Sequence, residues 1–210
     1  MSLTVITATT GRDELYDAVK SVQGQDCKHL VVIDGREFES DAKIILLKAD
    51  FQGDVMVLPE NTGFGGYLCH RIYSAIPTLV NTQYISFLDE DNWYEPDYVE
   101  VMLKAIEGYR VATCRRIVYT EEKEFICVDN FESIGWNGKY HLYDTNTMMF
   151  KREAWIYVYA SRMYRKYDGD RRVSTAVHFS PVDWQKHITR PLVNYRSPER
   201  LYNFFRKGVV

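Results

Sequence analysis

Tyr84-Ile85-Ser86-Phe87-Leu88-Asp89-Glu90-Asp91-Asn92 is the stretch on which the reading of this chain turns. A short apolar run of strand character delivers three consecutive carboxylates at its end. Adjacent carboxylates repel one another. A hard divalent cation with oxygen ligands, Mg²⁺ or Mn²⁺, relieves that repulsion, and Mg²⁺ typically takes one or two carboxylates plus substrate phosphates. The alternative is a solvated acidic turn ahead of the next helix. The residues upstream weigh between the two.

Three more short apolar runs precede this one: Leu3 to Ala8, His29 to Ile33 and Val55 to Leu58. Helical spacing fills the intervals. Leu15, Ala18, Val19 and Val22 mark a helix over about Asp13 to Gln23. Ala42, Ile45, Leu46 and Ala49 mark a second, with Ser40 as its expected cap. Leu68, Ile72, Ala75 and Ile76 mark a third. Strands alternating with amphipathic helices predict βαβ units, and strands apolar on both faces predict a mostly parallel sheet flanked by helices. The fold class is α/β and Rossmann-like. Ligands in such sheets bind beyond the carboxyl ends of the strands. Thr9-Thr10-Gly11-Arg12, Asp34-Gly35, Asn61-Thr62-Gly63 and Asp89 to Asn92 are therefore expected along one edge, which favours the cation at the acidic tip.

Downstream the pattern changes. Glu95-Pro96 opens a helix with Val99, Met102, Leu103 and Ile106 on its buried face, and Gly108 ends it. Strands at about Val111–Tyr119, Phe125–Val128 and Thr145–Phe150 follow, then helices near Arg152–Arg165 and Pro181–Arg190. This half is mixed and more antiparallel. One domain over 1–210 is expected, in two halves at 1–107 and 108–210.

Composition narrows the function classes. The chain has 210 residues with 26 basic and 29 acidic, net charge −3, which disfavours a nucleic-acid partner. No apolar run reaches the roughly 18–20 residues that span a bilayer, and no signal-peptide pattern opens the sequence. Cys27, Cys69, Cys114 and Cys127 form no C-x-x-C pair, the usage of reduced thiols in a cytoplasmic protein. No G-x-G-x-x-G follows the first strand, so a nicotinamide-binding domain is excluded.

Four motifs in order resemble the GT-A fold of glycosyltransferase family 2. They are Val5 to Arg12 with the helix end Ser21-Val22-Gln23-Gly24-Gln25, Val31-Val32-Ile33-Asp34-Gly35, Asn61-Thr62-Gly63-Phe64-Gly65, and Tyr84 to Asn92. The resemblance covers residues 3 to about 107 and implies a nucleotide-sugar-binding half at 1–107 and an acceptor-binding half at 108–210. Beyond that only Asn146 to Arg152 and Val182-Asp183-Trp184 are recognisable. It implies a metal-dependent transferase that moves a sugar from a nucleotide-diphosphate donor, a UDP-sugar, to a carbohydrate or other hydroxyl acceptor. The implied donor contacts are Thr9, Thr10, Arg12, Asp34 (to the uracil), Asn61, Gly63, Asp89 (to the ribose side) and Glu90. Asp91 would hold Mn²⁺ or Mg²⁺ with Asp89. Ala8 stands where the family usually has Pro. Leu68 and Cys69 stand where it has an Arg-Asn pair, with Arg71 one turn on as a substitute.

An inverting transfer also needs a base for the acceptor hydroxyl. Asp183 resembles the family's late acid; Ser180-Pro181-Val182-Asp183 equally reads as a helix-capping arrangement. His178 is a candidate metal ligand. Trp93, Trp136 and Trp184 are candidate sugar platforms or core residues. Arg171-Arg172 can meet phosphate or form a solvated face. Leu201, Phe204 and Phe205 among Arg196, Arg200, Arg206 and Lys207 suggest packing against the domain, or else peripheral membrane contact or a dimer seam. A sugar-phosphate nucleotidyltransferase and a non-catalytic nucleotide-binding protein are the competing readings.

Overall fold

The computed structural model describes residues 2–136, 138 and 141–207. Strand β1 (Leu3–Thr9) leads through α1 (Leu15–Val22) to β2 (Lys28–Ile33). A 3₁₀ turn, Arg36–Phe38, and α2 (Glu39–Lys48) lead to β3 (Asp54–Val57). Helix α3 (His70–Ala75) precedes β4 (Tyr84–Phe87). The apolar spacing of α1 buries the four residues it marked, Leu15, Ala18, Val19 and Val22. Ser40 does not cap α2. The 3₁₀ turn feeds directly into the helix, which starts at Glu39 without a side-chain cap and leaves Ser40 inside its first turn. Leu68 lies ahead of α3 in a left-handed conformation, φ 52°.

The second half contains β5 (Trp93–Tyr94), α4 (Tyr98–Ala105), β6 (Val111–Tyr119), β7 (Phe125–Val128), β8 (Gly135–Trp136), β9 (His141–Leu142) and β10 (Met148–Lys151). A helical stretch of α5 (Arg152–Ala154), a π-helical turn (Trp155–Tyr159) and α6 (Ala160–Met163) comes next. Then follow α7 (Gly169–His178), β11 (Gln185–Arg196) and α8 (Tyr202–Lys207). Two expectations fail here. The segment 181–190 is not a helix but a 3₁₀ turn, Val182–Trp184, entering β11. Its partner decides this: β11 runs parallel to β6 with register shifts around Pro191, so non-local pairing overrides local pattern. Helix α7 was missed because its buried face is diluted by Ser174 and β-branched Val173 and Val177.

The main sheet has the order β3-β2-β1-β4-β10-β6-β11-β5, with β7 beside β6. β3, β2, β1 and β4 are mutually parallel. β10 is antiparallel to both β4 and β6, so β6 points the same way as β4. The fold is thus α/β with a mixed, mostly parallel sheet. Phe87, Phe150 and Trp155 are fully buried in the core on one face. Tyr98, Met102 and Met149 anchor the other. Burying each such side chain contributes on the order of 2–3 kcal/mol. Phe205 is fully buried against Val118 and Ile126, so the C-terminal aromatic cluster packs on the domain.

Candidate active site

The parallel strands bring the four expected loops to one edge. There Ala8, Thr9, Arg12, Asp34, Gly63, Cys69, Asp89 and Asp91 line a cavity of about 510 Å³. The three carboxylates at its acidic tip have different partners.

Asp89 accepts hydrogen bonds from Tyr73 Oη at 2.8 Å and Asn146 Nδ2 at 2.8 Å, while its own N–H donates to Asn146 Oδ1 at 2.6 Å. Burial, with Asp91 and Asp144 close by, pushes its pKa up to about 7. Glu90 turns inward and is 7% exposed. It accepts from the Thr9 and Thr10 hydroxyls and from the backbone N–H groups of Thr10 and Arg12. Arg12 Nε also donates to it at 2.9 Å. Glu90 is therefore the post to which the first loop is tied, and it also lines the cavity. Asp91 remains at the cavity mouth, paired with Arg12 Nη2 at 2.8 Å.

Asp34 organises the loop after β3. Its Oδ1 accepts from Thr62 N–H and Oγ1, each at 2.7 Å, and its Oδ2 accepts from Gly63 N–H at 2.9 Å. Three of about four acceptor positions are used, leaving one on Oδ2 for a further donor. Gly63 is required by close approach: a Cβ there would lie 2.7 Å from the Leu68 carbonyl oxygen. Asn61 Oδ1 holds Phe64 N–H at 3.0 Å. Arg71 does not line the cavity. It stacks 3.6 Å from the Tyr67 ring centroid and donates to the Thr62 carbonyl, bracing the loop from behind.

Behind Asp89 a buried chain of charge fixes its geometry. Arg116, 3% exposed, pairs with Asp129, Glu132 and Asp144. Asp144 Oδ1 accepts from Asn146 N–H at 2.9 Å and Nδ2 at 2.6 Å. Asn146 in turn clamps both the backbone and the side chain of Asp89.

Two expected residues lie elsewhere. Gln185 pairs with Val111, which pairs with Phe150, and Phe150 with Ile85. Asp183 thus sits two residues behind the row of Ile85, while Asp89 lies four beyond it. The two therefore lie towards opposite ends of the strands. Asp183 is exposed, on the edge opposite the cavity, and no helix follows it to be capped. His178 ends α7 near that same edge, where its carbonyl accepts from Gln185 Nε2. Neither residue is brought to the acidic tip. Trp184 lies beneath the Arg110 guanidinium, 3.5 Å from its ring centroid, and Trp93 packs on Tyr119.

The opposite end of α7 does reach the site. Gly169 packs so closely on His70 that a Cβ would lie 2.8 Å from its Nδ1. That nitrogen donates to the Arg165 carbonyl at 2.6 Å. Asp170 follows, half-buried. Burial raises its pKa against the pull of its own helix N-terminus and His70, and Asp144 adds to the rise. The field of Asp170 also reaches Cys69 in the cavity wall, whose thiol burial and Asp89 push up further. The sequence signal for this acid was Asp168-Gly169-Asp170, carboxylates around a Gly at a helix start.

The family model for glycosyl transferase family 2 matches residues 4–171. The chain belongs to this family. Its fold is that of solved S. aureus TarS structures. TarS 1–349 in complex with UDP-GlcNAc superposes with a TM-score of 0.69 at 12% identity, covering 95% of this chain and 59% of that one. The complex of TarS 1–349 with UDP gives 0.66 at 13%, covering 94% and 61%. The longer TarS structure gives 0.65 at 12%, covering 94% of this chain and 37% of that one. The chain therefore spans about three-fifths or less of the TarS chains it matches. No curated protein matches it. Among the described residues no helix is long and apolar enough to cross a membrane, and no cluster of three or more His, Cys, Asp or Glu is arranged to hold a metal ion.

Proposed function

We propose that this protein transfers a sugar from a UDP-sugar to a hydroxyl acceptor, with inversion, and that Asp170 is the general base. The observation that carries the reading is the convergence of Asp34, Asp89 and Asp91 on one cavity at the carboxyl edge of the sheet, with Gly169, the residue before Asp170, packed on His70 next to Cys69 of the cavity lining. Residues 1–107 supply the donor side and 108–210 the acceptor side. The free acceptor position on Asp34 suits a uracil N–H. The four free cysteines suit a reducing, cytoplasmic setting.

Asp91 and Asp89 fit a divalent cation. Both are hard oxygen donors, their mutual repulsion already raises Asp89, and two carboxylates suffice when a diphosphate completes the shell. Asp91 and Asp89 would hold Mn²⁺ or Mg²⁺ there, and the cation would offset charge on a departing diphosphate. Arg12, poised between Glu90 and Asp91, adds a fixed positive charge at the same place. Asp170 takes the acceptor proton; its raised pKa brings it closer to neutral pH, where a base works best. Asp183 is replaced in this role because of its distance from the cavity.

The test is transfer or hydrolysis of UDP-sugars by the purified chain with Mn²⁺. Asp170→Asn is expected to bind UDP as the parent does and to lose about 10²–10⁴-fold in turnover. Unchanged turnover removes Asp170 from the chemistry; absence of UDP binding in the parent removes the donor.

A further inference from the structure

Two stretches far apart in the chain, 63–70 on the donor side and 164–170 leading into α7, are packed into one unit. Leu68 and Tyr167 are two of only four non-glycine residues with a left-handed backbone among the described residues, at φ 52° and 57°. Bulky side chains adopt that conformation only where their surroundings impose it, and such strain gathers at functional elements. Burial does not account for Tyr167, which is 74% exposed, so its contacts must. Tyr167 N–H donates to the Gly66 carbonyl at 2.9 Å. Its ring fills the space into which a Cβ on Gly66 would project, and Gly66 itself has φ 92°. Lys166 Nζ lies 5.3 Å from the Tyr67 ring centroid, and the Tyr67 and Tyr164 centroids are 5.6 Å apart. Arg71, stacked on Tyr67, also reaches within 5.7 Å of the Tyr164 centroid. At the α3 end, the hydrogen bond from His70 to the Arg165 carbonyl and the contact of His70 with Gly169 close the unit.

One side of this unit belongs to the cavity, which Gly63, Phe64, Leu68 and Cys69 line. Gly63 N–H holds Asp34, and the Gly63 carbonyl accepts from both Tyr67 and Leu68 N–H at 3.1 Å. The loop is therefore closed on itself, and a ligand that settles against part of it restrains the whole. The other side runs into α7, where Asp170 follows Gly169. A restraint on one packed element reaches the element packed on it as lost conformational freedom.

We propose that Tyr167 is a positioning residue. It latches the segment 164–170 to the donor-side loop, so that a donor bound against Gly63 to Cys69 fixes the place of Asp170. The inference rests on the UDP-sugar and Asp170 readings for what is bound and what is placed; the latch rests on its own contacts.

The test is amide hydrogen exchange of the whole chain with and without saturating UDP and Mn²⁺, after UDP binding has been measured by calorimetry. In the parent, UDP is expected to slow exchange at least about threefold over 163–175 as well as over 61–69. Tyr167→Ala should bind UDP as the parent does and keep the slowing over 61–69, but lose it over 163–175. Tyr167→Phe, which keeps the ring, should restore it. In UDP-sugar turnover, Tyr167→Ala should lower kcat about tenfold and leave KM for the donor unchanged, the signature of a misplaced group and not of a lost donor contact. Slowing over 163–175 that survives Tyr167→Ala, or that is missing in a parent that binds UDP, overturns the proposal. Gly66→Ala tests the latch without any nucleotide. Its methyl displaces the Tyr167 ring, so exchange over 163–175 should rise at least about threefold, and the same change should add little in a Tyr167→Ala background. Unchanged exchange in Gly66→Ala, or an equal rise in both backgrounds, also overturns the latch. A parent that binds no UDP fails at the calorimetric step, which removes the donor reading instead; the Gly66→Ala comparison then decides the latch by itself.

Discussion

At the scale of single residues, the acidic tip divides its labour. Asp91 faces the cavity mouth, while Glu90 is buried under the first loop and accepts from Thr9, Thr10 and Arg12. Glu90→Ala would strand those donors, so a loss of about 2–4 kcal/mol in unfolding free energy is expected by denaturant titration. Asp91→Ala, whose ion pair is half exposed, should cost less than about 1 kcal/mol. Equal losses would mean that Glu90 is not the tie. The sequence showed three adjacent acids but not this division, because which carboxylate turns inward depends on a loop 80 residues away. A second residue sets the response to acid. His29 is buried beside Phe51 with Nε2 at 2.9 Å from Thr7 Oγ1, and burial lowers its pKa to about 3. The folded state holds it neutral, so its contribution is intact above pH 6.5 and is lost as pH falls towards 3. That loss reaches about 4 kcal/mol by pH 3. His29→Gln should flatten the fall in stability across this window; an unchanged slope would assign the acid sensitivity elsewhere.

At the scale of elements, the first half was legible because parallel βαβ units write their pattern locally. Each strand is a short apolar run and each helix carries its own buried stripe. The second half obeys longer-range rules. The segment 181–190 was read as a helix because Ser180-Pro181-Val182-Asp183 resembles a capping arrangement, and only pairing of β11 with β6 resolves it. The same non-locality hid the support of Asp89. Arg116 on β6 ties Asp144, Asp144 ties Asn146, and Asn146 ties Asp89, across more than fifty residues of chain. Arg116→Leu leaves three carboxylates without their cation and should cost about 3–5 kcal/mol. Asn146→Ala should keep most of the stability but lower turnover, because Asp89 loses its clamp. Full activity in the Asn146 variant would show that the clamp is dispensable.

At the scale of the whole molecule, the sheet separates two edges. The carboxyl edge gathers Asp34, Asp89 and Asp91, and the start of α7, with Asp170, packs on His70 next to it. The other edge holds Asp183 and His178, away from the acidic tip. Ligands of open α/β sheets bind at the carboxyl edge, which is where the proposed site lies. The central claim is that Asp91 and Asp89 hold a divalent cation jointly with a diphosphate. The direct measurement is a calorimetric titration of Mn²⁺ into the protein with and without UDP. The account requires Mn²⁺ affinity to rise at least tenfold when UDP is present, and this gain to vanish in Asp91→Ala. Mn²⁺ binding that ignores both UDP and the Asp91 substitution would contradict it.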